Sequence, residues 1–147
     1  MLWLKLQLIN LLHLHQSKNP DDIFFQYLEA NIVRIKNVHK SVLVHAVKSL
    51  VGKSITNVSL TGVGGTKNAV VDANKGGHLS RTLDEILSSL NCPNISLLKT
   101  DVDGFDYDVI DSAQSLLTSQ HPMIFFECLF DFDYQRLGYQ KTIGWLK

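Results

Sequence analysis

The hydrophobic positions of this chain change period as it runs, and the changes outline its elements. Leu2, Leu4, Leu6 and Leu8 alternate as in a strand, while Leu4, Leu8, Leu11 and Leu12 share one helical face. The stretch Met1 to Leu14 therefore reads as a buried core element of either kind. Ser17-Lys18-Asn19-Pro20 is a polar break. Asn19 suits a helix cap and Pro20 a first turn, where a missing N–H costs nothing. Asp21 and Asp22 then lie where the helix dipole favours negative charge. Phe24, Leu28, Ile32 and Ile35 follow at helical spacing, so a helix is expected through about Ile35.

Beyond it the pattern shortens to strands. Val42 to Val47 is a β-branched run that predicts a buried strand, Ile55 to Leu60 alternates, and Asn68 to Asp72 is strand-like again. Gly62, Gly64 and Gly65 mark a hairpin turn between the last two. Thr82-Leu83-Asp84-Glu85 has the form of a capping box, opening a helix with Leu83, Ile86, Leu87 and Leu90 inside. Ile95 to Thr100 predicts a strand and Asp101 to Gly104 a turn. One helix carrying Val109, Ile110, Ala113, Leu116 and Leu117 should then run to the break at His121-Pro122. Met123 to Cys128 predicts another apolar strand, and an amphipathic tail runs through Tyr134, Leu137, Tyr139, Ile143 and Trp145.

Strands alternating with helices argue for an α/β domain with a largely parallel sheet. Such sheets bind ligands beyond the carboxyl ends of their strands. Asp101 ends one apolar run and Glu127 ends the next, which makes them the first candidates for chemistry.

Composition narrows the function. The chain has 147 residues, the size of one domain, with 45% hydrophobic residues, which excludes wholesale disorder. Its 14 Lys+Arg balance 14 Asp+Glu, so it lacks the cationic surplus that nucleic acid or an anionic membrane surface would need. Two cysteines, Cys92 and Cys128, make no disulfide framework and point to a reducing, cytoplasmic setting. The leucine-rich start falls short of the ~18 apolar residues of a membrane span, and it has neither a basic lead-in nor a small-residue cleavage site.

Several motifs fail on inspection. An EF-hand counted from Asp101 would place Phe105, Asp106 and Ser112 where an acid, Gly and Glu belong. Gly62 to Lys67 is neither a P-loop nor a dinucleotide fingerprint. No histidine pair has zinc-binding helical spacing, no C-x-x-C occurs, and no G-x-S-x-G elbow is present. D-x-D-G at Asp101 to Gly104 outlines an aspartate-nucleophile phosphohydrolase, with Mg²⁺ as its charge partner. Lys99 and Thr100 interrupt the apolar run it requires, so it stands second. Asp106 and Asp108 sit where acids ordinarily enrich a helical first turn.

Four stretches together resemble one family. ISLLKTDVDG at residues 95–104, continuing FDYDVIDSAQSLL, resembles the FkbM-type pattern of apolar strand, Lys, any residue, Asp, any, Glu, Gly, then a helix opening with an acid. RTLDEIL at 81–87 is similar to the helix start that precedes that strand. PDDIFFQYLEAN at 20–31 resembles the helix after the family's second strand, and PMIFFEC at 122–128 its next strand with a terminal Glu. The resemblance spans residues 19–128. It implies a Rossmann-like, S-adenosylmethionine-dependent methyltransferase that O-methylates a sugar or other small acceptor.

On that resemblance Asp101, Asp103 and Glu127 are the catalytic candidates, with Asp103 one methylene shorter than the family's Glu. Asn19 falls at the family's ribose-binding acid and Ala46 where adenine rests. The family's first strand and its G-x-N-x-G turn would precede residue 1. A βα unit takes about 30 residues, so this chain holds around five and reads as a single, incomplete domain. The sheet edge so exposed would be a site of self-association. A non-catalytic relative acting through a partner is the competing class.

Overall fold

The structure, a computed structural model, describes residues 20–40, 43–47, 49–52, 57–61, 68–71, 78–92, 94–102 and 105–146. The expected element over Met1 to Leu14, Asn19, the glycine turn and Asp103 lie outside them. The chain divides into two compact units, Met1–Lys48 and Ser49–Lys147.

In the first unit, α1 spans Pro20–Val38, with Lys36 in its last turn opposite in sign to the helix C-terminus. Ile32, in the middle of the expected apolar spacing, is buried. The helix runs three residues past Ile35. Residues 43–47 are irregular, which corrects the expected strand, although Val44 is buried. Among the described residues of the run, Val44 alone is buried and Leu43 is exposed, so the β-branched run packs one side chain without forming a ladder.

The second unit opens with a four-stranded sheet in the order β1-β4-β2-β3, built from β1 (Leu50–Val51), β2 (Asn57–Thr61), β3 (Asn68–Val71) and β4 (His78–Arg81). β2 and β3 pair antiparallel from Val58↔Val71 to Thr61↔Asn68, the hairpin that the intervening glycines predict. β4 lies antiparallel to β2 and parallel to β1. A separate two-stranded sheet pairs β5 (Leu97–Lys99) with β6 (Met123–Phe125), parallel, in the register Leu97↔Met123 to Lys99↔Phe125. The α/β class holds. The sheet pairing is mixed, however: among the described residues β1–β4 and β5–β6 are parallel, while both pairings of β2 are antiparallel. The hairpin accounts for the β2–β3 pairing, since a short connection reverses the chain where a parallel pair requires a crossover.

α2 (Leu83–Ser89) begins with the expected capping box. Thr82 Oγ1 accepts from the Glu85 N–H at 3.1 Å and Glu85 Oε2 accepts from the Thr82 N–H at 2.9 Å. Leu83, Ile86 and Leu87 are buried. The single helix expected after residue 105 is instead two, α3 (Asp106–Asp111) and α4 (Gln114–Gln120). Val109, Ile110, Ala113, Leu116 and Leu117 are nevertheless all buried, so the apolar spacing predicts the face correctly and misses the break.

The break has a use. Ser112 Oγ accepts from the Leu83 N–H at 3.0 Å and its carbonyl from the Asp84 N–H at 3.3 Å, supplying acceptors to the first turn of α2. Asp84 returns the arrangement, its carboxylate accepting from Ser115 N at 2.8 Å and Leu116 N at 3.0 Å in the first turn of α4. His121, in the left-handed conformation at φ 49°, closes α4, and buried Pro122 follows. α5 (Asp133–Leu146) gives the amphipathic tail its form. It lies close to α3, for a Cβ on Gly138 would come within 2.9 Å of Tyr107 Cβ.

Candidate functional site

The β5–β6 pair sets the frame. Its ladder continues one step past β5, where the Thr100 N–H donates to the Phe125 carbonyl at 2.9 Å. Asp101 and Glu127 each lie two residues beyond the last register pair, Lys99↔Phe125, so both occupy the carboxyl end of the same small sheet at equivalent positions. Both side chains are exposed. Asp101 Oδ2 meets Lys99 Nζ at 3.4 Å, a solvated pair of little energetic weight that leaves the carboxylate open to a ligand. Asp103 lies outside the described residues, as does Asn19. Ala46 is half-buried in the irregular segment of the first unit.

Two residues prominent here are not evident from the sequence as site residues. Asp106 is 0% exposed, and its Oδ1 accepts from Thr100 Oγ1 at 2.6 Å while Oδ2 is buried without a partner. Asp106 stands in the first turn of α3, as expected of an acid there, and its burial is what the sequence does not reveal. Asp108, two residues on, is exposed. The Thr100–Asp106 bond ties the residue before Asp101 to the start of α3. Two polar residues, Thr100 and Asp106, separated by a spacing of six are the only sequence signal for it.

Tyr107 is the second. Its ring is buried, edge-on to Phe126 at 5.9 Å, and its hydroxyl lies 3.3 Å from Cys128 Sγ and 3.4 Å from the Leu129 carbonyl. It therefore holds both neighbours of Glu127. Burial first, then the contact with Cys128, pushes the Tyr107 phenol well above its ordinary value and keeps it neutral. Cys92 and Cys128 are both free thiols, and burial raises the Cys92 thiol as well.

A groove of about 910 Å³ runs between α2 and α4, lined by Asp84, Glu85, Ser88, Cys92, Ser115 and Ser119. The Asp84 carboxylate is spent on helix capping, and the Ser119 hydroxyl donates to the Ser115 carbonyl at 2.6 Å. The strand-end carboxylates are the more open acceptors. Among the described residues no group of three or more His, Cys, Asp or Glu is placed to hold a metal ion, and no helix is long and apolar enough to cross a membrane.

Residues 79–146 match the family model of the methyltransferase FkbM domain. The match begins in β4 and runs through α5, taking in the capping box, the Lys99 to Asp101 strand end and the Glu127 strand end. It bears out the resemblance carried by residues 81–87, 95–104 and 122–128; the resemblance at 20–31 lies outside the matched stretch. No curated protein and no solved structure gives a match. In the FkbM stretch the threonine-leucine-aspartate signature has a structural explanation: Thr82 caps α2, Leu83 is fully buried and Asp84 caps α4. The acid at 106 likewise joins helix to strand through Thr100.

Two open carboxylates at the carboxyl ends of parallel strands suit S-adenosylmethionine chemically, since its ribose hydroxyls and ammonium group are all donors to carboxylate oxygen.

Proposed function

We propose that this protein transfers a methyl group from S-adenosylmethionine to an oxygen of a small-molecule acceptor. The observation that carries the proposal is the equivalent placement of Asp101 and Glu127 past a parallel strand pair, within a stretch that matches the FkbM domain.

The cofactor, when bound, supplies a methyl group activated by a sulfonium and leaves as a neutral thioether. The chain's own part is to hold and to deprotonate. An acceptor hydroxyl must give up its proton as its oxygen forms the new bond to carbon, and an open carboxylate within hydrogen-bond reach can receive it. Asp101 and Glu127 are the two such groups at the strand ends. The Thr100–Asp106 bond anchors the residue before Asp101, and Tyr107 contacts both neighbours of Glu127, which supports alignment of the two carboxylates before the ligands arrive. One carboxylate orients and the other takes the proton.

A thermal melt of the purified chain with and without S-adenosylhomocysteine tests the cofactor half. A ligand that binds only the folded state raises the midpoint with concentration. A midpoint unmoved by saturating S-adenosylhomocysteine would overturn the assignment.

A further inference from the structure

α5 carries its polar residues inward and its apolar ones outward. Its buried residues are Gln135 and Thr142, and Gly138 lies against Tyr107 on the same side. Tyr134, Leu137 and Trp145 stay in water at 47%, 66% and 40% exposure. With exposed Lys141 they are spaced by three, four and four residues, which places them in one row along the helix. An amphipathic helix ordinarily turns its apolar stripe to the core. A stripe that faces away from the core marks a contact surface.

The row matches itself. Turning a second α5 through 180° about an axis across the middle of the row brings Tyr134 opposite Trp145 of the second copy, and Leu137 opposite Lys141 of the second copy. A two-fold interface makes each such pair twice. Aromatic pairs then close both ends, and the leucines pack on the lysine stems between them. Lys141 is the one charge in the row. Its Nζ already meets Asp111 Oδ2 at 2.6 Å, so its stem can be covered without stranding an ammonium group.

Size and charge select the occupant. Phe132 stacks on Tyr134 at 5.8 Å and is itself 60% exposed. With Phe132 the row offers roughly 400–500 Å² of side-chain surface, taking about 150–250 Å² for a whole aromatic side chain. Two copies meeting on it hide about 1,000 Å², where biological interfaces begin and where the weak, reversible ones lie. The 14 Lys+Arg balance 14 Asp+Glu, so copies carry no net charge to hold them apart. A bilayer would have to take Lys141, in the middle of the row, into its acyl boundary, whereas interfacial helices keep lysine on the polar face.

We propose that the Tyr134–Leu137–Lys141–Trp145 face of α5 pairs two copies of this chain, antiparallel about a two-fold axis, in a reversible dimer.

Sedimentation velocity of the full chain from about 10 μM to about 1 mM covers the range of a weak interface of this size. The expected mass climbs from one chain toward two, and the thermal midpoint rises with protein concentration. Leu137→Glu changes an exposed helical position to another good helix former, so the fold is kept. It should weaken association roughly a hundredfold, because a two-fold interface contains each substitution twice, and its midpoint should no longer depend on concentration. Trp145→Gln should weaken association in the same direction, and Phe125→Glu, on the exposed side of β6, should leave the dimer intact. A parent chain that stays monomeric throughout overturns the proposal, and one that stays monomeric yet sediments with phosphatidylcholine vesicles assigns the row to a lipid surface instead. Undiminished association of both α5 variants, or loss of the dimer in Phe125→Glu alone, overturns it as well by placing the contact elsewhere. None of these outcomes bears on methyl transfer, which the melt with S-adenosylhomocysteine reports separately at one fixed protein concentration.

Discussion

Asp84 in the first turn of α2 caps α4 through the N–H groups of Ser115 and Leu116, at 2.8 and 3.0 Å, while Ser112 just ahead of α4 supplies acceptors to the start of α2. Each helix therefore begins on groups borrowed from the other. Ala113, the residue before α4, has no side chain able to cap, so Asp84 is the cap that α4 uses. Replacing a capping acceptor with Ala costs about 0.5–2 kcal/mol. Asp84→Ala should fall at the upper end of that range, because two N–H groups lose their acceptor together. Urea unfolding would measure it, and Asp84→Asn, which keeps one acceptor oxygen, should recover part of the loss.

Thr100 and Asp106 form the buried counterpart. Removing one partner of a buried bond, so that an acceptor is left unsatisfied, costs about 1–3 kcal/mol, more than losing an exposed bond would. Thr100→Val should destabilise by that amount because both Asp106 oxygens would then be buried without a donor. Thr100→Ser keeps the hydroxyl and should stay near the parent. Equal stability of the valine and serine variants would show that the bond contributes nothing.

Gly138 admits α3 to close range. A Cβ there would lie 2.9 Å from Tyr107 Cβ and 3.0 Å from Cγ and Cδ2, closer than carbon atoms pack. Gly138→Ala should therefore cost about 1–3 kcal/mol despite the better helix propensity of Ala, as overpacking usually does. Gly144, on the same helix with nothing within 4 Å, is the internal control. Gly144→Ala should be neutral to stabilising in the same denaturation series.

The Tyr107 phenol sets a limit at alkaline pH. Its folded pKa lies above the ordinary value of 10.0, so above that value the unfolded chain releases a proton that the folded chain retains. Stability is then fully present below about pH 10 and falls as pH rises beyond it. Denaturation midpoints should drop on the alkaline side, and Tyr107→Phe should flatten that part of the drop.

Asp101 and Glu127 should separate function from stability. Both are exposed, so Asp101→Asn and Glu127→Gln should melt within a degree or so of the parent, as surface substitutions of about ±0.5 kcal/mol do. If either serves as the proton acceptor, methyl transfer should fall by about 10²–10⁴-fold in that variant. The rate of S-adenosylhomocysteine release in the presence of acceptor is the measurement. Two fully active variants would remove both residues from the chemistry.

Local signals were the legible part of this fold. The capping box at Thr82–Glu85, the helix from Pro20 and the strand pair carrying Leu97–Lys99 and Met123–Phe125 are each specified by a few neighbouring residues, and each is present. What escaped depends on partners distant in sequence. β4 is four residues, His78–Arg81, ordered between β1 and β2, and its own sequence says little. The break at Ser112 is set by the donors of α2, which no periodicity within 105–120 can reveal. Of the candidate site, the strand-end positions of Asp101 and Glu127 were legible from ending apolar runs. Asp106 and Tyr107 were not, because their roles come from Thr100, Phe126 and Cys128 meeting them in space.

The small parallel sheet also has a practical side. Leu97, Met123 and Phe125 are 53%, 72% and 64% exposed, whereas parallel sheets are ordinarily covered on both faces. With equal numbers of acidic and basic residues and a sequence pI of about 7.0, the chain has little net charge near neutral pH to keep copies apart. Ammonium sulfate should precipitate it early and a phenyl resin should retain it at modest salt, so buffers one or two pH units from neutrality are the natural choice for concentrating it.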